Sequence, residues 1–232
     1  MATTQKSAVR RGAGAERHAG GRPRGWLTGG GTTGNELLTN AVGATLIVLL
    51  AVIGITILRI GQLLWVHLFV GMLLLPPVLL KMSSAGYRFF RYYTGNPRYR
   101  SKGAPELALR LIAPLVVLST VVVVATGVAL LFAGPSSRST LLPIHKDSFF
   151  VWAAFTAIHV LGHLPSMPAV LRADYSRYPD YYYDETDGHV TGRTGRVLAL
   201  SSALVLGIVL AILAIPEFSP WLNGTGIFHF HH

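Results

Sequence analysis

Cysteine is absent from all 232 residues. That excludes disulfides, thiolate-held iron–sulfur clusters and covalently attached c-type haem. Charge is scarce as well: Asp, Glu, Lys and Arg make up 13% of the chain, and 10 acidic residues face 20 basic ones. Apolar residues, 51% of the total, fill the space that charge leaves. They are concentrated in near-continuous runs over Ala41–Leu58, Leu63–Leu80, Leu111–Ala133, Phe149–Leu164 and Val197–Ile215. Each approaches the ~20 residues with which a helix crosses hydrocarbon roughly 30 Å thick. The pattern predicts an all-α integral membrane protein: a four-helix transmembrane bundle over 35–171, then a fifth C-terminal transmembrane helix over 197–215.

A net charge of +10 would suit a nucleic-acid binder if it were gathered on a folded surface. Instead it is segregated by loop. Lys6, Arg10, Arg11, Arg17, Arg22 and Arg24 precede the first span, and Lys81, Arg88, Arg91, Arg98, Arg100 and Lys102 separate spans two and three. Arg172, Arg177, Arg193 and Arg196 separate spans four and five, while the opposite side carries Arg59, Arg138 and Lys146. This is the positive-inside asymmetry, placing the N-terminus in the cytoplasm and the C-terminus outside. Anionic membrane lipid, and no nucleic acid, is the partner this charge implies.

Residues 1–34, rich in Gly, Arg, Thr and Ala, read as a disordered basic cytoplasmic tail without the features of a secretory signal. Thr33 or Asn35, followed by Glu36, is placed to cap the first helix. Arg59, Gly61 and Gln62 predict a tight turn, so spans one and two should be antiparallel neighbours. Pro76-Pro77 should bend or open span two. The stretch Lys81–Glu106, where Tyr87, Phe89, Phe90, Tyr92, Tyr93 and Tyr99 alternate with arginines, reads as an interfacial loop. A docking surface for a partner or an anionic lipid is its sharper reading. Gly134-Pro135 should end span three and begin a short polar loop leading to His145. Residues 172–196 form a cytoplasmic loop whose Asp184, Glu185 and Asp187 offset nearby arginines. Residues 216–232 form an external tail, and His229, His231 and His232 within it are at most a weak metal site.

With cysteine gone, a redox cofactor must be held by His, Met or backbone. A b-type haem in a bundle needs two imidazoles from different helices at similar depth, and small residues beside the porphyrin. His145 and His159, 14 positions apart, share one face of the fourth helix with a separation of roughly 21 Å. His67 in span two is the histidine in a span other than the fourth, so it must supply one ligand. Counted from the cytoplasmic edge (Lys81 and Arg172), His67 and His159 lie at matching depth; counted from Arg59 and Lys146, they agree less well. Depth therefore favours His67 with His159, with His145 as the other candidate. Gly71 and Gly162 would line the slot. His163, one turn beyond His159, is a candidate alternate ligand, propionate partner or quinone contact.

A fourth helix with two His so spaced, entered through Ile144-His145-Lys146 after a helix bearing its own His, resembles the membrane b-type cytochrome subunits. These include the gamma subunit of formate dehydrogenase and the cytochrome subunit of nickel–iron hydrogenase. The resemblance covers about residues 35–171. It implies a multi-pass protein of the bacterial plasma membrane, part of a respiratory chain, relaying electrons between a redox partner subunit and possible quinone. In that family His145 and His159 match the paired fourth-helix ligands, and His67 the second-helix ligand sharing a haem with His159. The family's first-helix His is missing here, so the resemblance implies one haem b. The competing expectation is a haem-free membrane scaffold or anchor for a partner protein. For the topology, a reporter active only outside the cytoplasm should be active when fused after His232 and silent after Lys102; the reverse would overturn the orientation.

Overall fold

One residue, Arg59, separates the first two long helices. The structure, a computed structural model, describes residues 30–101, 107–133, 135–163 and 192–223. It runs α1 (Gly31–Leu58), α2 (Ile60–Tyr93), α3 (Pro97–Ser101), α4 (Leu107–Phe132), α5 (Pro135–His163) and α6 (Arg193–Ala214). A 3-10 turn (Ile215–Phe218) and α7 (Ser219–Leu222) follow, and there is no strand among the described residues. Four stretches are long and apolar enough to cross a membrane: α1, α2, Arg110–Phe132 of α4, and Arg193–Leu222 from α6 through α7. Large apolar side chains such as Val48, Leu118, Phe150 and Leu213 stand outward, each more than half exposed. A soluble monomer rarely shows so much apolar surface; this is a multi-pass helical membrane protein.

Two polar rungs at opposite ends fix α1 and α2 antiparallel. Thr39 is hydrogen-bonded to Ser84, and Thr56 Oγ1 lies 2.9 Å from His67 Nδ1. Between them Val42, Leu46 and Ile53 of α1 pack on Leu74 of α2. α6 closes this three-helix half. Pro77 has no N–H, so the carbonyl of Leu73, four residues earlier, loses its helical donor. Gly207 of α6 sits against that carbonyl, and a methyl there would overlap it. In a bilayer no hydrophobic force pulls helices together, so close small-residue contacts of this kind hold them.

α4 and α5 form the second hairpin, again with two rungs. Trp152 Nε1 donates to Thr120 Oγ1 at 3.0 Å, and Thr126 Oγ1 lies 3.1 Å from His145 Nδ1. The two halves join at the Arg59 end through Leu130 and Leu131 of α4 and Ala214, Phe218 and Trp221 beyond α6, against Leu64, Leu68, Leu141 and Leu142. Arg138, 4% exposed, lies 4.3 Å from the Trp221 ring centroid and donates from Nη1 to the Pro220 carbonyl at 3.5 Å. A cation so placed on a desolvated indole contributes on the order of 1–2 kcal/mol.

Several expectations are corrected. α1 starts at Gly31 behind a left-handed Gly30 (φ 97°) with no side-chain cap; Thr33 and Asn35 lie inside it, and Asn35 donates to the Ser84 carbonyl. α2 keeps helical backbone through Pro76-Pro77, where the expected opening is the Leu73 carbonyl left without its helical donor, and a break that was not expected lies at Leu63 (φ −113°, ψ 19°). The expected loop after Lys81 is helical to Tyr93 and again in α3. The expected polar loop before His145 is the beginning of α5, because Pro135 occupies the first helical position, where its missing N–H costs nothing. Residues 216–222 of the expected tail are helical. α5 falls short of the four spanning stretches, since Arg138, His145, Lys146 and Asp147 precede an apolar run that is short for a span. Residues 1–29, the acids of 184–187 and the terminal histidines lie outside the described residues.

Gly207→Ala should lower stability by about 1–3 kcal/mol through overpacking against the Leu73 carbonyl. Gly54→Ala, whose added methyl meets nothing within 4 Å, should not. Thermal unfolding of both variants in detergent, followed by circular dichroism, checks this; equal melting temperatures would contradict the close approach.

Candidate functional site

His67 and His145 come from different hairpins and are close enough for the charge on one to act on the other. The local reasons are alike. His67 follows the Arg59 turn by two helical turns, and His145 sits in the eleventh position of α5. Both are half-buried. Leu64 and Leu68, close to His67 in α2, and Leu141 and Leu142, close to His145 in α5, pack into the apolar junction.

Each imidazole is held by a threonine of the preceding helix, and the threonine decides its tautomer. A hydroxyl has one proton to donate. Thr56 Oγ1 donates to the Ile53 carbonyl at 2.6 Å, so towards His67 Nδ1 it accepts. Thr126 Oγ1 donates to the Val122 carbonyl at 2.8 Å or the Val123 carbonyl at 3.1 Å, so it accepts from His145 Nδ1. The Val123 carbonyl is a further backbone acceptor for the same imidazole. Both neutral rings therefore carry the proton on Nδ1 and a lone pair on Nε2. A metal-binding histidine has this arrangement, with one nitrogen anchored by an acceptor and the other free to ligate.

Small residues accompany the pair. Gly127 makes room for the His145 ring: a methyl there would come within 3.0 Å of its Cε1. Gly71, one turn from His67 on the same face, has open space beside it. Among the described residues no group of three or more His, Cys, Asp or Glu forms. Two imidazoles are a poor cage for a bare metal ion, but they complete an iron whose other four ligands belong to a porphyrin. Two imidazoles are the protein donor set that a haem b would use, and nothing lies within 4 Å of a methyl placed at Gly71.

The remaining predicted residues lie elsewhere. His159 is half-buried on α5, displaced from His145 by roughly 21 Å of helix. The structure brings His145 within electrostatic reach of His67. Gly162 is exposed on the last turn of α5, and His163 closes that helix, its side chain outside the described residues. A cleft of about 280 Å³ opens between α1 and α5, lined by Ile47, Ile53, Gly54, Trp152, Thr156 and Val160. It extends along the His145 face of α5 towards the depth of His159, and the Thr156 hydroxyl is buried without a hydrogen-bond partner among the described residues. Thr56 and Thr126 were missed from sequence. A threonine in a helix reads as bonding its own backbone, and its cross-helix partner is visible only once the register is known.

No protein-family model, curated protein or solved structure matches the chain. The tautomers can be tested without any cofactor. Nitrogen NMR of the isotope-labelled cofactor-free chain should show Nδ1 protonated and Nε2 bare at both His67 and His145. Thr56→Val should release that preference at His67 alone; an Nε2-protonated wild type would contradict the assignment.

Proposed function

We propose that the chain is a membrane electron-transfer protein in which His67 and His145 hold one haem b. One observation carries this reading: two imidazoles from separate helix hairpins lie within electrostatic reach of each other, each bonded through Nδ1 to a threonine. When bound, haem iron supplies one-electron redox chemistry without proton transfer at the protein. The chain's own residues supply the ligands, fix their ring planes through Thr56 and Thr126, and exclude water with the apolar junction at the Arg59 end. On this reading α5 is a fifth span completing the bundle, and the basic side of the chain faces the cytoplasm of a bacterium. Electrons pass to or from a redox partner subunit and, by resemblance, the quinone pool.

Ultraviolet–visible spectra of the purified membrane protein test the proposal. The wild type should show a sharp low-spin Soret band, which His67→Ala and His145→Ala should each abolish and His159→Ala should leave nearly intact. Loss with His159→Ala but not His145→Ala would move the site to the His67–His159 pair. A wild type without a Soret band, expressed with haem precursor supplied, would overturn electron transfer in favour of the haem-free scaffold.

A further inference from the structure

The corner between α2 and α3 takes no part in the histidine pair, and its sequence dictates a sharp reversal. Thr94-Gly95-Asn96-Pro97 ends α2 with Gly95 in the left-handed region (φ 81°). The Asn96 N–H reaches the Arg91 carbonyl at 3.1 Å and the Gly95 N–H the Tyr92 carbonyl at 3.3 Å, a complete Schellman motif. Pro97 then opens α3 at a position that needs no N–H. α3 is thereby folded back so that Tyr99 meets Tyr87 edge-on, with ring centroids 6.0 Å apart and the phenols hydrogen-bonded.

The charged side chains that act on Tyr99 are both arginines. Arg88 and Arg91 both act on Tyr99, and the Arg91 guanidinium lies 6.0 Å from the Tyr87 ring centroid. The Nε of Arg91 is buried with no hydrogen-bond partner among the described residues. Between Lys81 and Pro105 the sequence has no carboxylate. Burial raises the Tyr99 phenol above its ordinary value, so it stays a neutral donor. One phenol donates to the other, which leaves one O–H free. The corner thus gathers guanidinium and hydroxyl donors, among them the buried Arg91 Nε without a hydrogen-bond partner among the described residues.

Its surroundings identify the anion. α2, at 34 residues, is roughly 51 Å long and outreaches a bilayer of about 40–45 Å including headgroups. Its last turns therefore stand at headgroup level. Phe89 and Phe90, 63% and 62% exposed, flank the arginines there as apolar rings suited to the top of the acyl layer. We propose that Arg88 and Arg91, with the hydroxyls of Tyr87 and Tyr99, bind the phosphate of an anionic phospholipid headgroup. Arginine forks match phosphate oxygens in pairs, and the phenol adds a third donor. Phe89 and Phe90 favour a lipid over a soluble phosphate compound, for which exposed apolar rings would offer no match.

Native mass spectrometry of the full-length chain, equilibrated in micelles with equal phosphatidylglycerol and phosphatidylcholine, tests this. The wild type should retain phosphatidylglycerol in preference. Removing each arginine should weaken that preference about fivefold, and Arg88→Gln with Arg91→Gln together roughly 25-fold. Arg59→Gln at the other end should leave it unchanged. If the double variant misfolds by circular dichroism, Tyr99→Phe is read the same way and should lower the preference. Equal retention of the two lipids, or an undiminished preference in the folded variants, overturns the proposal. Displacement of the lipid by inorganic phosphate at equal concentration overturns the lipid assignment and leaves a soluble-anion site. The result is independent of whether the chain binds haem.

Discussion

Inside this bundle a threonine hydroxyl has one proton, and its own helix claims it. The carbonyls at Ile53 and at Val122 or Val123 take the protons of Thr56 and Thr126. Every further hydrogen bond those oxygens make must then be accepted. That single constraint passes from the α-helical backbone to the hydroxyl, from the hydroxyl to Nδ1, and from Nδ1 across the ring to a bare Nε2. The net energy is small, since interhelical polar contacts in membranes average about 0.6 kcal/mol. Its consequence is chemical: it settles which nitrogen of each histidine can act as a ligand. Both hairpins use the same device, with the threonine on the first helix and the histidine on the second.

The bundle is assembled by a related economy of backbone groups. Pro77 strips the Leu73 carbonyl of its donor, and the gap is used by Gly207, the one residue type thin enough to bring α6 against it. Elsewhere Arg138 is placed against Trp221 and the Pro220 carbonyl, tying the polar beginning of α5 to the end of the chain. These contacts tie the beginning of α5 to the junction of Leu130, Leu131, Phe218 and Trp221. The site therefore depends on residues far from it in sequence.

Much of this was legible beforehand and some was not. Apolar run lengths reveal the long helices because hydrocarbon thickness dictates them, and the short link at Arg59 forces α1 and α2 together. The position of His145 was hidden by Gly134-Pro135. Proline after glycine marks the end of one helix, yet proline is equally at home in the first position of the next. Ser136, Ser137, Ser139 and Thr140 look like a loop, and what makes them helical is packing that includes an Arg138 contact 82 residues away. The count from Lys81 and Arg172 that favoured His159 as the match for His67 assumed that charge marks the surface. The count from Arg59 and Lys146, which agreed less well, rested on a lysine that sits twelve residues into α5.

The two histidines of α5 are consequently unequal. Roughly 21 Å of helix separates them, too far for both to serve one centre. Facing the second half of α5, α1 presents Ile47, Leu50, Ile53 and Gly54, and α1 contains no histidine. A porphyrin iron at that depth would find one protein imidazole rather than two. The cleft there, about 280 Å³, lies just below the ~300–1,000 Å³ range of ligand pockets, and its lining is apolar apart from Thr156 and the edge of Trp152. Among the described residues, a second centre at that depth has no second histidine facing it from α1. On the proposed reading, electron exchange is confined to the His67–His145 depth, and a partner protein would have to approach it from the Arg59 end, where Phe218, Trp221 and Arg138 form the cover it would meet.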